Sequence, residues 1–240
     1  MFCRRTVLTS WAFCFSFALQ AQTVETIIAN YIDFTGGAQQ WQKIGTIVSS
    51  GTYNYGGIEF PFEAYSKAPD LYKYIVSSNG KYFAQAFDGK HGWKIDGFKD
   101  EATKTILNGK EARAMANEAD VELESPFINY KEKGYVAMLE GKDSVDKILC
   151  YTIKLISKSN DTASYFFSTN DFSLLKKQAV SKNAELDKSL LDTYYIDYTT
   201  IEGIKFPFKT ISKIGDQTIL TITVKKLQLN EAIQGSIFKP

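Results

Sequence analysis

The sequence has few of the residues from which metal sites, catalytic dyads and disulfide frameworks are built. Its 240 residues include one histidine and three cysteines, and only Cys150 lies beyond residue 21. A lone histidine does not make a zinc site, because such sites combine several His and Cys ligands. A single cysteine beyond residue 21 also excludes an internal disulfide there. We therefore expect no metal and no organic cofactor.

The same scarcity argues against an enzyme. His91 follows Gly89-Lys90 at the start of a predicted strand, where we interpret it as a turn residue. Asp88 could pair with it, but no nucleophile with an activating base is visible. Cys150 alternates with Leu149 and Tyr151, a pattern typical of a half-buried, unreactive thiol. No catalytic residue is predicted.

The N-terminus predicts export. Arg4 and Arg5 precede a mostly apolar run over residues 6–19, and the small residue Ala21 follows. This order is typical of a cleavable signal peptide, and the run is shorter than the ~20 residues that span a bilayer. Cys14 lacks the small preceding residues that a lipid anchor needs. We predict a signal peptide over 1–21, cleavage near Ala21 and a soluble periplasmic domain over 22–240.

The charge balance excludes a nucleic-acid surface. Removing residues 1–21 removes two of the 28 basic residues and none of the 27 acidic ones, which leaves a net charge of −1. Binding to phosphate backbones needs an excess of Lys and Arg. The remaining residues suit one domain with a sizeable core, and we expect a monomer.

The periodicity predicts a mainly β protein. Val24, Ile27, Ile28 and Tyr31 have helical spacing, and Gly36-Gly37 end that helix. From residue 44 onward, Ile, Val, Thr, Tyr and Phe alternate between Gly, Asn and Asp turns. We predict about eleven strands joined mostly by short turns, near 46–55, 58–67, 71–77, 81–87, 91–96, 147–157, 163–169, 174–181, 192–200, 204–213 and 217–229. Sequential strands with tight turns indicate an antiparallel meander.

One short helix interrupts the strands. Ala112, Met115, Ala116 and Ala119 have i, i+3, i+4, i+7 spacing, and Asn108 is a candidate N-cap with Glu111 three residues later. Its small apolar stripe suits a lid that seats on the sheet without interlocking side chains.

Aromatic residues, 14% of the chain, fall at alternating strand positions. A long sheet with few helices must curl to bury such rows, and if it stays open it leaves an apolar trough. Ordinary core packing is the alternative for each single residue. The candidate trough residues are Phe60, Phe62, Tyr72, Tyr74, Trp93, Tyr194, Tyr198, Phe206 and Phe208.

The order of several segments resembles the LolA/LolB family of lipoprotein-sorting proteins. The segments are Trp41 with residues 46–55, Phe87-Asp88-Gly89 with Gly92-Trp93, residues 124–130, the hairpin 194–213 and the closing segments 219–230 and 237–240. The resemblance covers the whole chain after residue 21. It implies an open half-barrel whose concave, apolar face is covered by an N-terminal helix and the lid helix.

The resemblance also implies a function and partners. It implies a periplasmic carrier that shields the acyl chains of lipoproteins, or other lipids, on the way to the outer membrane. Delivery partners at the inner or outer membrane are a further expectation. The early-strand arginine that fastens the lid in this family is missing, because Arg113 is the only arginine after residue 21. Two alternatives stay open: a non-catalytic envelope sensor or structural module with the same fold, and a filled barrel with a minor ligand pocket.

Overall fold

The computed structural model describes residues 22–99, 103–109, 111, 112, 115, 125–181, 186 and 188–239. Two helices precede the sheet, α1 (Val24–Phe34) and α2 (Ala38–Trp41), and a 3-10 turn (Gly235–Phe238) follows it. Thirteen strands lie in the described part of the chain: β1 (Thr46–Tyr55), β2 (Ile58–Lys67), β3 (Leu71–Ser78), β4 (Lys81–Asp88), β5 (Gly92–Asp96), β6 (Lys104–Ile106), β7 (Val136–Val145), β8 (Ile148–Ile156), β9 (Thr162–Ser168), β10 (Leu174–Val180), β11 (Leu190–Ile201), β12 (Ile204–Ile214) and β13 (Gln217–Leu229).

All thirteen strands form one open antiparallel sheet. Its spatial order is β6-β5-β4-β3-β2-β1-β13-β12-β11-β10-β9-β8-β7. Strand β1 pairs with β13, so the first and last strands of the chain are neighbours at the centre. The edge strands β6 and β7 are not paired with each other, and the predicted open half-barrel is confirmed.

The predicted number of about eleven strands was too low, because β6 and β7 were missed. Strand β6 has three residues, too few to show alternation. Strand β7 carries Glu140-Gly141-Lys142-Asp143 in its second half, and its register shifts between Leu139 and Gly141. Charges and a bulge are common features of edge strands, and here they conceal the strand pattern in the sequence.

Helix α1 begins and ends where the sequence predicts. The Thr23 hydroxyl accepts a hydrogen bond from the Thr26 N–H at 3.2 Å and caps the first turn. Gly36 follows the helix at φ 117°, and a Cβ there would lie 2.3 Å from the Gly203 carbonyl oxygen. Only glycine permits this approach, which fixes the end of α1 against the β11–β12 turn.

The strand register divides the sheet into two faces. Helix α1 packs through Ile27, Ile28 and Tyr31 on Ile153, Tyr165 and Phe167, and we call this side the helix face. Trp41 and Ile128 pack on the same face, against Ile47, Ile204, Phe206 and Leu229. The opposite face carries a separate cluster of Val145, Cys150 and Phe166. The core is therefore concentrated between the helical segments and the helix face.

The predicted lid segment is described only in part. Gly109, Glu111, Ala112 and Met115 have helical backbone. Ala112 and Met115 pack on the helix face against Tyr72, Phe87 and Leu107. Ala116 and Ala119 lie outside the described residues. So do residues 1–21, and the signal peptide stays a prediction.

Candidate functional site

The centre of the helix face presents apolar side chains, most of which are only half buried, whereas Phe62 and Val76 are buried. Two cross-strand rows cover it. The first joins Val76, Phe62, Gly51 and Val224, and the second joins Phe60, Tyr53, Ile222 and Thr210. No residue of either row is charged. We call Tyr53, Phe60, Phe62, Tyr74, Ile222 and Val224 the central apolar surface.

Aromatic contacts organise this surface. The ring centroids of Tyr53 and Tyr74 are 5.8 Å apart, and those of Phe62 and Tyr74 are 6.3 Å apart. Burial raises the pKa of Tyr53, and the neighbouring Tyr74 hydroxyl partly opposes this shift. The Tyr53 hydroxyl therefore stays neutral at physiological pH.

Gly51 lies under the centre of the surface. A Cβ at this position would be 2.0 Å from the Thr223 carbonyl oxygen and 2.9 Å from Cε1 of Phe62. The β1–β13 register shifts between Ser50 and Gly51, so a bulge draws the backbones together there. Glycine thus admits both the bulge and the Phe62 ring.

The same central strands are covered at their other end. A third cross-strand row at that end joins Tyr72, Ser66, Ile47 and Leu229, and all four residues are buried. Ile47 and Leu229 lie beneath Trp41, and Tyr72 lies beneath Leu107 and Met115. The half-buried surface is thus closed at one end by helical segments.

The predicted trough residues divide into three groups. Phe60, Phe62 and Tyr74 lie together in the central apolar surface. Tyr72, Phe206 and Phe208 lie on the helix face under its covered end, where the rings of Trp41 and Phe206 are 5.3 Å apart. Trp93, Tyr194 and Tyr198 lie elsewhere.

Those last three residues have other contacts. Trp93 pairs with Ala86 on the opposite face, under the C-terminal segment. Tyr194 packs against the Cys150 cluster, also on the opposite face. The Tyr198 ring contacts Phe34 of α1, and its hydroxyl donates to the Leu174 carbonyl oxygen at 2.9 Å.

Residues of the central surface that the sequence analysis missed are Tyr53, Ile222 and Val224. Tyr53 alternates with Tyr55 in β1, and Ile222 alternates with Val224 in β13. Their alternation was visible in the sequence. The β1–β2 hairpin pairs Tyr53 with Phe60. The pairing that the sequence did not reveal is that of β1 with β13, which places Ile222 beside Tyr53 and Val224 beside Gly51.

Two hollows are lined mainly by residues outside this surface. The larger, of about 590 Å³, is lined mainly by residues of the opposite face, including Ser50, Pro61, Glu63 and Ile75, and it also touches Gly51, Phe60 and Phe62. The smaller, of about 300 Å³, lies beside α1 and is lined by Ile28, Ile32 and Phe127 among others. The larger hollow therefore lies mainly on the other side of β1 and β2 from the central apolar surface.

His91 and Cys150 have ordinary structural roles. The Asp88 Oδ1 accepts hydrogen bonds from the N–H groups of Lys90 and His91, and His91 Nδ1 lies 3.7 Å from Asp88 Oδ2. Burial raises the pKa of the Cys150 thiol, which is fully buried. Among the described residues no three His, Cys, Asp or Glu side chains gather into a metal-binding group.

Solved structures identify the fold. A DUF1329 family protein of Desulfovibrio piger superposes with a TM-score of 0.60 at 16% identity, over 89% of this chain and 97% of that chain. A LolA superfamily protein of Nitrosomonas europaea gives 0.59 at 13% identity, over 92% and 99%. The chain has a LolA-like fold.

Other comparisons agree in fold or find nothing. A putative outer membrane lipoprotein-sorting protein domain of Vibrio parahaemolyticus gives a TM-score of 0.54 at 9% identity, over 88% of this chain and 97% of that chain. No sequence-family model and no curated protein match the chain. In the described part of the chain, no helix is both long and apolar enough to cross a bilayer.

Proposed function

We propose that this LolA-like protein is a periplasmic carrier that shields lipid acyl chains, including those of lipoproteins, and that it is not an enzyme. The observation that carries the proposal is the central apolar surface. None of its residues is charged, all but Phe62 are only half buried, and it is closed at one end, on the face that also holds α1 and the lid segment. A hydrocarbon chain lying across this surface would remove its exposed apolar area from water.

The energetics suit a transient carrier. Burying each methylene is worth ~0.8 kcal/mol, so one acyl chain can supply substantial affinity. An open surface buries only part of each methylene, which weakens retention and permits transfer to an acceptor. Ala112 and Met115 support this interpretation. One side chain is small and the other is flexible, so the lid segment can move away from Tyr72 and Phe87 at a small energetic cost.

The proposal includes the location and the domain. Residues 1–21 would direct export and be removed near Ala21, leaving residues 22–240 as a monomeric carrier domain in the periplasm. The printed description of the Vibrio parahaemolyticus neighbour as a lipoprotein-sorting domain supports the lipoprotein as one cargo. The proposal also includes delivery partners at the inner or outer membrane.

The test is native mass spectrometry of residues 22–240 purified from a periplasmic fraction, followed by extraction of bound molecules. We expect an adduct that extraction identifies as a lipid or an acylated protein. A clean unliganded mass, together with no binding of a dansyl-labelled fatty acid, would contradict the carrier. That result would favour the non-catalytic envelope module with the same fold.

A further inference from the structure

The open end of the central apolar surface carries exposed apolar side chains. Tyr55 ends β1, Ile58 begins β2, and Phe98 follows the end of β5. Their exposed fractions are 39%, 62% and 39%. Because neighbouring strands are antiparallel, all three lie at the same end of the sheet, and we call them the rim.

The rim is continuous with the central apolar surface. Tyr55 stacks on Tyr53 at 6.4 Å between ring centroids, and Phe98 contacts Phe60 at 5.8 Å. Tyr55 and Ile58 are direct cross-strand partners, adjacent to the pair of Tyr53 and Phe60. An apolar path therefore runs from solvent-exposed hairpin tips into the half-buried surface.

The charged side chains described around the rim have both signs, so they do not favour a partner of one charge. Lys99 Nζ lies 3.4 Å from Asp96 Oδ2, so those two charges neutralise each other. Lys81 and Glu59 are both exposed at this end of the sheet and have opposite signs. Tyrosine and phenylalanine beside an exposed aliphatic residue are typical of segments that enter the interfacial region of a bilayer.

We propose that the rim docks on the surface of a lipid bilayer and places the open end of the central apolar surface against it. This inference rests on the proposed carrier function. An acyl chain then moves between the bilayer and the central apolar surface along the Ile58–Phe60 side of β2 without crossing water. Docking depends on apolar insertion, so it is largely insensitive to salt.

The experiment is flotation of the protein with phosphatidylcholine vesicles. Ile58→Glu is the test variant, because Ile58 is mostly exposed and its replacement should leave folding intact. Leu149→Glu is the matched control, because Leu149 is 48% exposed near the start of β8, at the end of the sheet opposite the rim. Each protein is also titrated with a dansyl-labelled fatty acid and unfolded in urea.

We expect the vesicle-bound fraction of Ile58→Glu to fall about tenfold, because a charge replaces an inserted apolar side chain. Leu149→Glu should float like the unmodified protein, and all three should bind the fatty acid alike. If Ile58→Glu proves unstable in urea, Phe98→Ser tests the same rim.

Each other outcome overturns the inference in a distinguishable way. Equal flotation of Ile58→Glu and the unmodified protein, or equal loss in Leu149→Glu, means that the rim is not the docking surface. Fatty-acid binding without flotation of the unmodified protein removes the docking inference and leaves the carrier. Failure of both measurements removes the carrier as well.

Discussion

The indole N–H of Trp93 donates a hydrogen bond to the backbone carbonyl oxygen of Phe238 at 2.8 Å, and both residues are buried. The bond ties the C-terminal 3-10 turn to the opposite face of the sheet. Lys67 Nζ donates to the Ile233 carbonyl oxygen at 2.8 Å and holds the preceding residues. The face away from α1 is thus partly covered by the end of the chain.

Removing the indole donor should therefore lower stability without affecting lipid binding. In Trp93→Phe the Phe238 carbonyl loses its buried partner, and we expect the free energy of unfolding to fall by about 1–3 kcal/mol. Urea unfolding measures this change, and Tyr82→Phe, at an exposed position of the neighbouring strand, should change it by less than about 0.5 kcal/mol. A fatty-acid affinity that drops in folded Trp93→Phe would place Trp93 in the binding site after all.

Truncation of Phe60 should weaken lipid binding, whereas truncation of Phe206 should lower stability. Phe60→Ser removes a half-exposed ring of the central apolar surface, and we expect the affinity for a dansyl-labelled fatty acid to fall by roughly tenfold with little change in stability. Tyr82→Ser is the control, since Tyr82 is a partly exposed aromatic residue on the opposite face. Equal affinities of Phe60→Ser and the control would argue that the fatty acid binds elsewhere.

Phe206 is enclosed by Trp41 and its neighbours, so its loss acts on folding. We expect Phe206→Ala to lower the free energy of unfolding by about 3–5 kcal/mol through the cavity it leaves. Denaturant unfolding checks this value. A loss below about 1 kcal/mol would mean that the Trp41 region relaxes to fill the space.

Gly51 should tolerate no side chain. In Gly51→Ala the new methyl group would collide with the Thr223 carbonyl oxygen, which is backbone and cannot rotate away. We expect a loss of more than about 2 kcal/mol in the free energy of unfolding. Gly45→Ala is the matched control, because the nearest atom to a Cβ there, Asn230 Oδ1, lies at 3.7 Å. Similar stabilities of the two variants would show that the β13 bulge can move.

The Asp88 turn should make part of the stability depend on pH. Burial opposes ionisation of Asp88, but the hydrogen bonds from the His91 and Lys90 N–H groups outweigh it and lower the pKa of this carboxyl. A lowered pKa in the folded state stabilises the fold above the unfolded-state value of about 4, and this stabilisation is lost as the pH falls through the folded-state pKa.

Asp88→Asn therefore provides the test. The variant should be less stable than the unmodified protein at pH 7, and the difference should shrink as the pH is lowered below about 4. Urea unfolding at a series of pH values measures the difference. A constant difference across that range would mean that ionisation of Asp88 does not stabilise the turn.

Cys150 should be unreactive until the protein unfolds. Its side chain is fully buried, and burial raises its pKa, so the nucleophilic thiolate is scarce at neutral pH. We expect a thiol-specific reagent to label residues 22–240 rapidly in denaturant and very slowly without it. Rapid labelling of the native protein would reveal an opening of the β7–β8 region.

The sequence by itself determined the local elements. Helix α1 follows from its apolar spacing, its threonine cap and two terminal glycines, and most strands follow from alternation between turn residues. These signals depend on neighbours within a few positions of the chain. The short β6 and the charged, bulged β7 lacked them and were missed.

Only the tertiary structure decided which face each row occupies. Alternation separates the residues of a strand into two sets, but it does not say which set meets α1. The β1–β13 pairing placed Ile222 beside Tyr53 and Val224 beside Gly51, while the C-terminal segment contacts Trp93 on the opposite face. Those contacts join residues more than a hundred positions apart, and no local pattern encodes them.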